Sequence, residues 1–331
     1  MPPKKTSRRS APVAGRGPNR PYGFLFAHFR EGPDGERVHF SLSRGDDPLR
    51  WDPMFGGDAR LASEVGTGGV RDPFLVRGLD GRFHILATDL RVEGGTAAAW
   101  DDLVRFGSRS IVVWDSEDLV EWTPPRLVEV APADAGMAWA PEAVVEPGGL
   151  DHVVYWASRL YSPDDPGRED PSYSRILCAR TRDFVHFTEP EVMIDSGVDV
   201  IDTTVVHHQG WVHRIGKDER QDASGSGIHH EVGSSLRSSD HRIIAERIGA
   251  DRYPRIEGPI LFPSHQGDRW LLFLDQYTDS PQGYVAFEAP DLLSGRWSAI
   301  SGDRFEIAPG VKHGSVLSLY RGEWERLRGL R

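Results

Sequence analysis

The chain has 331 residues, 38% of them apolar and 27% charged, with a formal net charge of −11 at pH 7. That length and apolar content can bury a substantial core, as expected of a soluble globular protein of one large or two ordinary domains, and no run of 18 apolar residues offers a membrane-spanning helix. A single cysteine, Cys178 in SRILCAR, excludes an internal disulfide and any cysteine-ligated metal, and its strand-like surroundings mark it as a buried structural thiol.

Residues 1–20, MPPKKTSRRSAPVAGRGPNR, carry six Lys or Arg and no acid, and lack the apolar segment of a secretory signal. They read as a disordered basic tail ahead of a folded body over 21–331. Removing that +6 from −11 leaves −17 on the body, which argues against a nucleic-acid partner. Thiol economy and the missing signal point to the cytoplasm.

From residue 22 onward, short runs rich in Val, Ile, Phe, Trp and Tyr alternate with Gly, Pro, Asp and Ser clusters, the pattern of an all-β chain. YGFLFAHF and RVHFSLS lead into DPLRW at 47–51. RDPFLVR, RFHILATDL and RSIVVWDS lead into DLVEWT at 118–123, and PEAVV, HVVYWASRL and SRILCART into DFVHFT at 183–188. IDTTVV and WVHRIGKDE follow, then IEGPILF, RWLLFLDQY and GYVAFEAP lead into DLLSGRWS at 291–298. The phrase of an Asp, a hydrophobic pair and an aromatic recurs at intervals of 71 and 65 residues, and the last interval approaches twice that, so one copy is missing or worn. Meanders of three or four strands repeated in this way build a β-propeller. The first unit lacks an inner strand, while HGSVLSL stands alone near the C-terminus. Together they predict a five-bladed β-propeller with one blade closed by strands from both termini, which removes free sheet edges.

The inner strand of each unit begins with one ionisable side chain: Asp72, Glu142, Asp202, Glu257 and His313, spaced by 70, 60, 55 and 56 residues. A common register would bring all five to one mouth of the channel. The second strand returns to the same face and adds His28, Asp89, Ser158, Lys217 or Asp218, and Asp275 as rim residues. Carboxylates converging from separate blades suit cleavage of a glycosidic bond, which needs an acid for the leaving oxygen and a carboxylate to activate water. A third acid tunes the proton donor, since like charges resist ionising together. Trp139 offers a flat face for a sugar, or alternatively packs between blades. The His pairs at 207 and 229 sit where adjacent side chains diverge, and no HExxH motif supports zinc hydrolysis.

The ordered set RDPF, WAPE, VIDTT, IEGP and KHGS resembles glycoside hydrolase family 43, the five-bladed propeller glycosidases, over residues 22–320. The resemblance implies that Asp72 is the general base, that Asp202 tunes and orients the acid, that Glu257 is the general acid, and that the anomeric carbon is inverted. Arg71, Asp89, Trp139 and Glu142 are the substrate-binding candidates at this rim. The resemblance implies that His313 sits beside a structural calcium or its water near the channel centre, and no organic cofactor is expected. Glu142 stands where the family usually has Asp, and the propeller starts one partial blade early. The implied substrates are oligosaccharides with terminal α-L-arabinofuranosyl or, second, β-D-xylosyl units. Long insertions after Asp89 and Lys217 would wall the pit and favour exo action. A non-catalytic carbohydrate-binding propeller stays open as an alternative, as does a retaining fructosidase-type enzyme, whose Asn-Asp-Pro-Asn-type motif is missing.

Overall fold

A computed structural model describes residues 20–32, 36–92, 97–218, 227–277 and 283–330, without the side chains of 97–99. Apart from Arg20, the expected basic tail lies outside the described residues. The chain opens with β1 (Pro21–His28), β2 (His39–Arg44) and β3 (Asp47–Pro53). β4 (Val70–Arg77), β5 (Phe83–Asp89), helix α1 (Ala97–Phe106), β6 (Ser110–Ser116) and β7 (Arg126–Glu129) follow. Then come β8 (Trp139–Val145), β9 (His152–Arg159), β10 (Ser174–Thr181) and β11 (Glu191–Ile194). β12 (Val200–His208), β13 (Trp211–Asp218), β14 (Gly227–Gly233) and β15 (Arg242–Ala245) form the next group. β16 (Ile256–Pro263), β17 (Trp270–Gln276), β18 (Gly283–Ala289), β19 (Ser298–Ala299), β20 (Gly314–Tyr320) and α2 (Arg321–Arg328) complete the chain.

These strands form five four-stranded antiparallel sheets, and the first blade has the order β20-β1-β2-β3, closed by both ends of the chain as expected. The inner strands β4, β8, β12, β16 and β20 pack each against the next, so the ring closes around them. Second strands are buried along almost their whole length because both of their faces lie between blades, and in β13 this burial takes in His213, Arg214 and Lys217 as well as apolar residues. In β1, Phe24 and Phe26 join the core against β16–β18, whereas Leu25 and Ala27 join the core against β4–β6. Side-chain alternation along one strand thus supplies two interfaces.

At 118–123, 183–188 and 291–298 the recurring Asp phrase is the turn from the third strand to the fourth, whereas DPLRW at 47–51 lies within β3, the fourth strand of the first blade. Asp118 Oδ1 accepts from the Val120 and Glu121 amides, each at 2.9 Å, and Asp183 Oδ1 from those of Val185 and His186 at 2.9 and 2.8 Å. The next residue, Leu119 or Phe184, is buried as an anchor. In the fourth blade the worn copy is 234–241, where Ser234 donates to Asp240 and Leu236 is the buried anchor. At the closure, α2 lies over the first blade, with Trp324 Nε1 donating to the Ser43 carbonyl at 3.0 Å. A Cβ at Gly23 would meet Trp324 Cδ1 at 2.3 Å, so this approach requires glycine. Among the described residues no helix is long and apolar enough to cross a membrane.

Candidate active site

Four of the five inner strands carry the same irregularity at their start. Pairing with the second strand slips between Arg71 and Phe74, Trp139 and Glu142, Ile201 and Thr204, and Glu257 and Ile260. Each slip is a β-bulge, and its first extra residue has positive φ: Asp72 at 52°, Ala140 at 47°, Asp202 at 50° and Gly258 at 53°. The ionisable residues therefore do not share one register, contrary to the sequence expectation. Asp72 and Asp202 occupy the bulge itself, Glu257 precedes it, and Glu142 follows it by two residues. A bulge re-aims successive side chains, so positions that a regular strand would send to opposite faces reach the same mouth. Left-handed backbone at non-glycine residues stores about 1–3 kcal/mol each, the kind of strain found at functional sites.

The structure brings Asp72, Asp202, Glu257, Glu142 and His313 together. His313 Nδ1 lies 3.2 Å from Asp72 Oδ1 and 4.0 Å from Asp202 Oδ1. The Thr88 hydroxyl donates to Asp72 Oδ2 at 2.8 Å, and the Gly258 amide donates to Asp202 Oδ2 at 3.2 Å. Lys217 Nζ donates to Glu257 Oε2 at 2.8 Å, and the Tyr155 hydroxyl donates to Glu142 Oε2 at 2.7 Å. The side chains of Asp202, Asp72 and Glu257 are 11%, 17% and 27% exposed, so Glu257 is the most accessible of the three.

Burial works against charge at Asp72, Asp202 and Glu142, and the partners decide which keeps it. For Asp72 burial pushes upward, but the hydrogen bond and charge of His313 and the Thr88 hydroxyl outweigh it and hold the carboxyl below its ordinary value. Burial lifts Asp202 to about 6; Glu257 and Asp72 add to the rise while His313 and Lys217 oppose it. Burial likewise raises Glu142 to about 7 despite Tyr155. Burial would lower His313, yet Asp202, Asp72 and Glu142 raise it to about 10, so it is an imidazolium at neutral pH. That cation compensates the acids around it.

The predicted rim separates into contacts that face the site and contacts that build it. Arg71 is held by Glu36, Nε to Oε1 at 3.0 Å, and its guanidinium lies over the rings of Phe29 and Trp100 at 4.9 and 5.6 Å. Trp139 meets Trp100 edge to face at 6.0 Å, which makes it part of an aromatic wall supplied by α1 from the insertion after Asp89. Asp89 is not in the cluster: it is buried, and its Oδ1 accepts from the Thr67 amide and hydroxyl at 2.8 and 2.9 Å. His28 turns to Ser41, and Ser158 donates to the Met137 carbonyl, both within the fold. Asp275 accepts from the His313 amide at 3.2 Å and lies 3.6 Å from Lys312 Nζ; burial raises it to about 7.

Sequence reasoning missed Thr88, Trp100, Glu36, Tyr155 and Lys312. Thr88 pairs with Arg71 as Lys217 pairs with Ile201 and Asp275 with Glu257, so it holds the rim position given to Asp89 one residue on. Aligning the second strands on their shared apolar run, LATD against FLDQ, would have found it. The calcium expected beside His313 does not fit these residues as a directly held ion. The imidazole faces Asp72, carries its own positive charge, and calcium takes six to eight oxygen ligands. Among the described residues no three His, Cys, Asp or Glu side chains group to hold a metal.

The family model described as a probable glycosyl hydrolase domain, related to family 43, matches residues 20–325. An α-L-arabinofuranosidase of Bifidobacterium longum subsp. longum is 33% identical over 207 residues, which is 59% of this chain and 19% of that protein's length. Among solved structures, sucrose-6-phosphate hydrolase from Lactobacillus gasseri is similar at a TM-score of 0.52 and 15% identity, covering 70% of this chain and 47% of that one. An endo-arabinase from Bacteroides thetaiotaomicron is similar at 0.50 and 13% identity, covering 73% and 83%. At such identities the likeness is one of fold.

Proposed function

The chain belongs to the family of glycosyl hydrolase domains related to glycoside hydrolase family 43, and from that premise we propose that it releases terminal pentose units from oligosaccharides by an inverting mechanism. The carrying observation is the grouping of Asp72, Asp202 and Glu257 around the His313 imidazolium at one end of the inner strands. Asp72, held ionised by His313 and Thr88, accepts a proton from the attacking water. Glu257, the most exposed of the three, gives its proton to the leaving oxygen, with Lys217 fixing one carboxyl oxygen. Asp202 interacts electrostatically with both Asp72 and Glu257 and places charge beside the donor, while its Oδ2 takes the Gly258 amide and so ties the donor's own strand. Inversion requires room for water between base and acid, roughly 6.5–9.5 Å between the carboxyls.

The aromatic wall of Trp100 and Trp139 beside Arg71 supports a sugar-sized pit, and a pit favours chain ends. The α-L-arabinofuranosidase relative supports arabinofuranosyl ahead of xylosyl units. The test is hydrolysis of 4-nitrophenyl α-L-arabinofuranoside, β-D-xyloside, β-D-galactoside and β-D-fructofuranoside, and of the methyl glycoside of whichever sugar is cleaved, by the wild type and Glu257→Gln, with proton NMR of the first anomer formed. Glu257→Gln is expected to lose most activity on alkyl glycosides and much less on aryl ones with acidic phenols, which scarcely need protonation. Equal loss across leaving groups, or a first product of retained configuration, would overturn the assignment. Failure of all four substrates, with glycan binding that survives the substitution, would favour a carbohydrate-binding propeller.

A further inference from the structure

At the end of the propeller opposite the carboxylate cluster, three side chains from distant parts of the chain meet in a line of hydrogen bonds. His265 lies between β16 and β17, Asp46 between β2 and β3, and Ser318 near the end of β20. Ser318 Oγ stands 2.7 Å from His265 Nε2, and His265 Nδ1 stands 2.5 Å from Asp46 Oδ1. A carboxylate only accepts, so the imidazole proton sits on Nδ1 and Nε2 is left to accept from the Ser318 hydroxyl. Nucleophile, base and orienting acid thus stand in the order and spacing that activate a serine.

Base and acid are fixed, while the hydroxyl is open. The His265 ring stacks on Phe24 with centroids 4.1 Å apart, and its side chain is 9% exposed. Asp46 Oδ1 also accepts from the Gly23 amide at 3.0 Å, and Oδ2 accepts from Gln266 Nε2 at 3.4 Å. Ser318 itself is exposed. Its amide is placed to help. The Gly314 amide donates to the Tyr284 hydroxyl and the Phe24 amide to Ser43 Oγ, both away from the ladder between β1 and β20, in which bonded and unbonded pairs alternate. Ser318 pairs with Phe24 and lies four residues beyond Gly314, so its N–H also turns out of the ladder. There it can receive a developing oxyanion, as a nucleophile's own amide does in serine hydrolases. Tyr320, two residues on along the strand and 38% exposed, offers an apolar surface for a short acyl chain.

We propose that Ser318, His265 and Asp46 form a second catalytic centre, independent of the carboxylate cluster, that hydrolyses carboxylic esters with short acyl chains. Ser318 Oγ adds to the ester carbonyl carbon as its proton passes to His265 Nε2, and the carbonyl oxygen, now negative, takes the Ser318 amide. The bond to the alcohol oxygen then breaks, and the alcohol leaves with the proton from His265 while the acyl group stays on Ser318. Water adds to that acyl group as His265 accepts its proton. The bond to Oγ breaks, the carboxylic acid departs, and the proton returns to Oγ. Asp46 keeps the imidazole in the required tautomer and is a positioning residue.

The experiment treats the full chain with a fluorophosphonate, maps the adduct by peptide mass spectrometry, and measures hydrolysis of 4-nitrophenyl acetate and 4-nitrophenyl butyrate by wild type, Ser318→Ala, His265→Gln and Asp46→Asn. The native wild type is expected to be phosphonylated at Ser318, about 100-fold faster than His265→Gln. Acetate hydrolysis should fall to the buffer rate in Ser318→Ala, which removes one oxygen from an exposed side chain, and about 100-fold in His265→Gln. In Asp46→Asn kcat should fall at least about tenfold with KM nearly unchanged, a split that loss of a purely structural contact would not give. Labelling of the wild type needs no variant, so it decides the matter even where a substitution loosens the contact between the fifth and first blades. A wild type unlabelled at Ser318, or Ser318→Ala that hydrolyses the acetate within twofold of wild type, would overturn the proposal and leave the three residues as a tie between those blades.

Discussion

Replacing Glu142 by Gln tests whether the buried charge at the channel centre is a net cost to the fold. Burial raises the Glu142 carboxyl from 4.5 to about 7 in the folded protein. An acid whose folded value lies above its unfolded value destabilises the native state at pH above both, and the cost vanishes below the unfolded value. At about 1.36 kcal/mol per pH unit, the gap corresponds to roughly 3 kcal/mol at pH 8 and under about 1 kcal/mol at pH 5. Glutamine keeps an oxygen for the Tyr155 hydroxyl, which donates to Glu142 at 2.7 Å, and nearly the same volume. The variant's stability relative to wild type should therefore rise by roughly 2 kcal/mol between pH 5 and pH 8, about 3 °C in Tm for a chain of this size. Thermal and urea unfolding of both proteins at the two pH values measure it. A difference that is independent of pH, or that grows toward acid, would refute the reasoning and show that the attraction between Glu142 and His313 dominates.

Gly258→Ala should lose about 2 kcal/mol or more of stability together with most activity. Ala140 shows that the bulge φ itself tolerates a methyl, but at Gly258 the added Cβ would stand 2.7 Å from His313 Cγ; unchanged urea unfolding and kcat/KM would contradict this. Truncation before His313 removes β20, the inner strand paired along β1 from His28 to Pro21, and should abolish cooperative unfolding. A truncated chain that melts at the parent temperature would show that the closure is dispensable.

Composition and the Asp-turn phrase were enough to read five blades and a ring closed by both termini, because the blades repeat the same local problem: second strands buried on both faces and, outside the first blade, a third-to-fourth turn held by an Asp and a buried anchor. The inner-strand starts were equally legible as the positions of Asp72, Glu142, Asp202, Glu257 and His313. Their mutual register was not. A β-bulge is a matter of which residue on the neighbouring strand is left opposite two, and a strand's own sequence does not say where pairing slips. That slip put Asp72 and Asp202 at the bulge with Glu257 one place earlier, and it gave the rim position to Thr88, which holds Asp72, while Asp89 went to the Thr67 loop. Residues brought by distant segments were invisible for the same reason. Trp100 from α1 meets Trp139, and Glu36 from the first blade holds Arg71, neighbours only once the blades are packed in the ring.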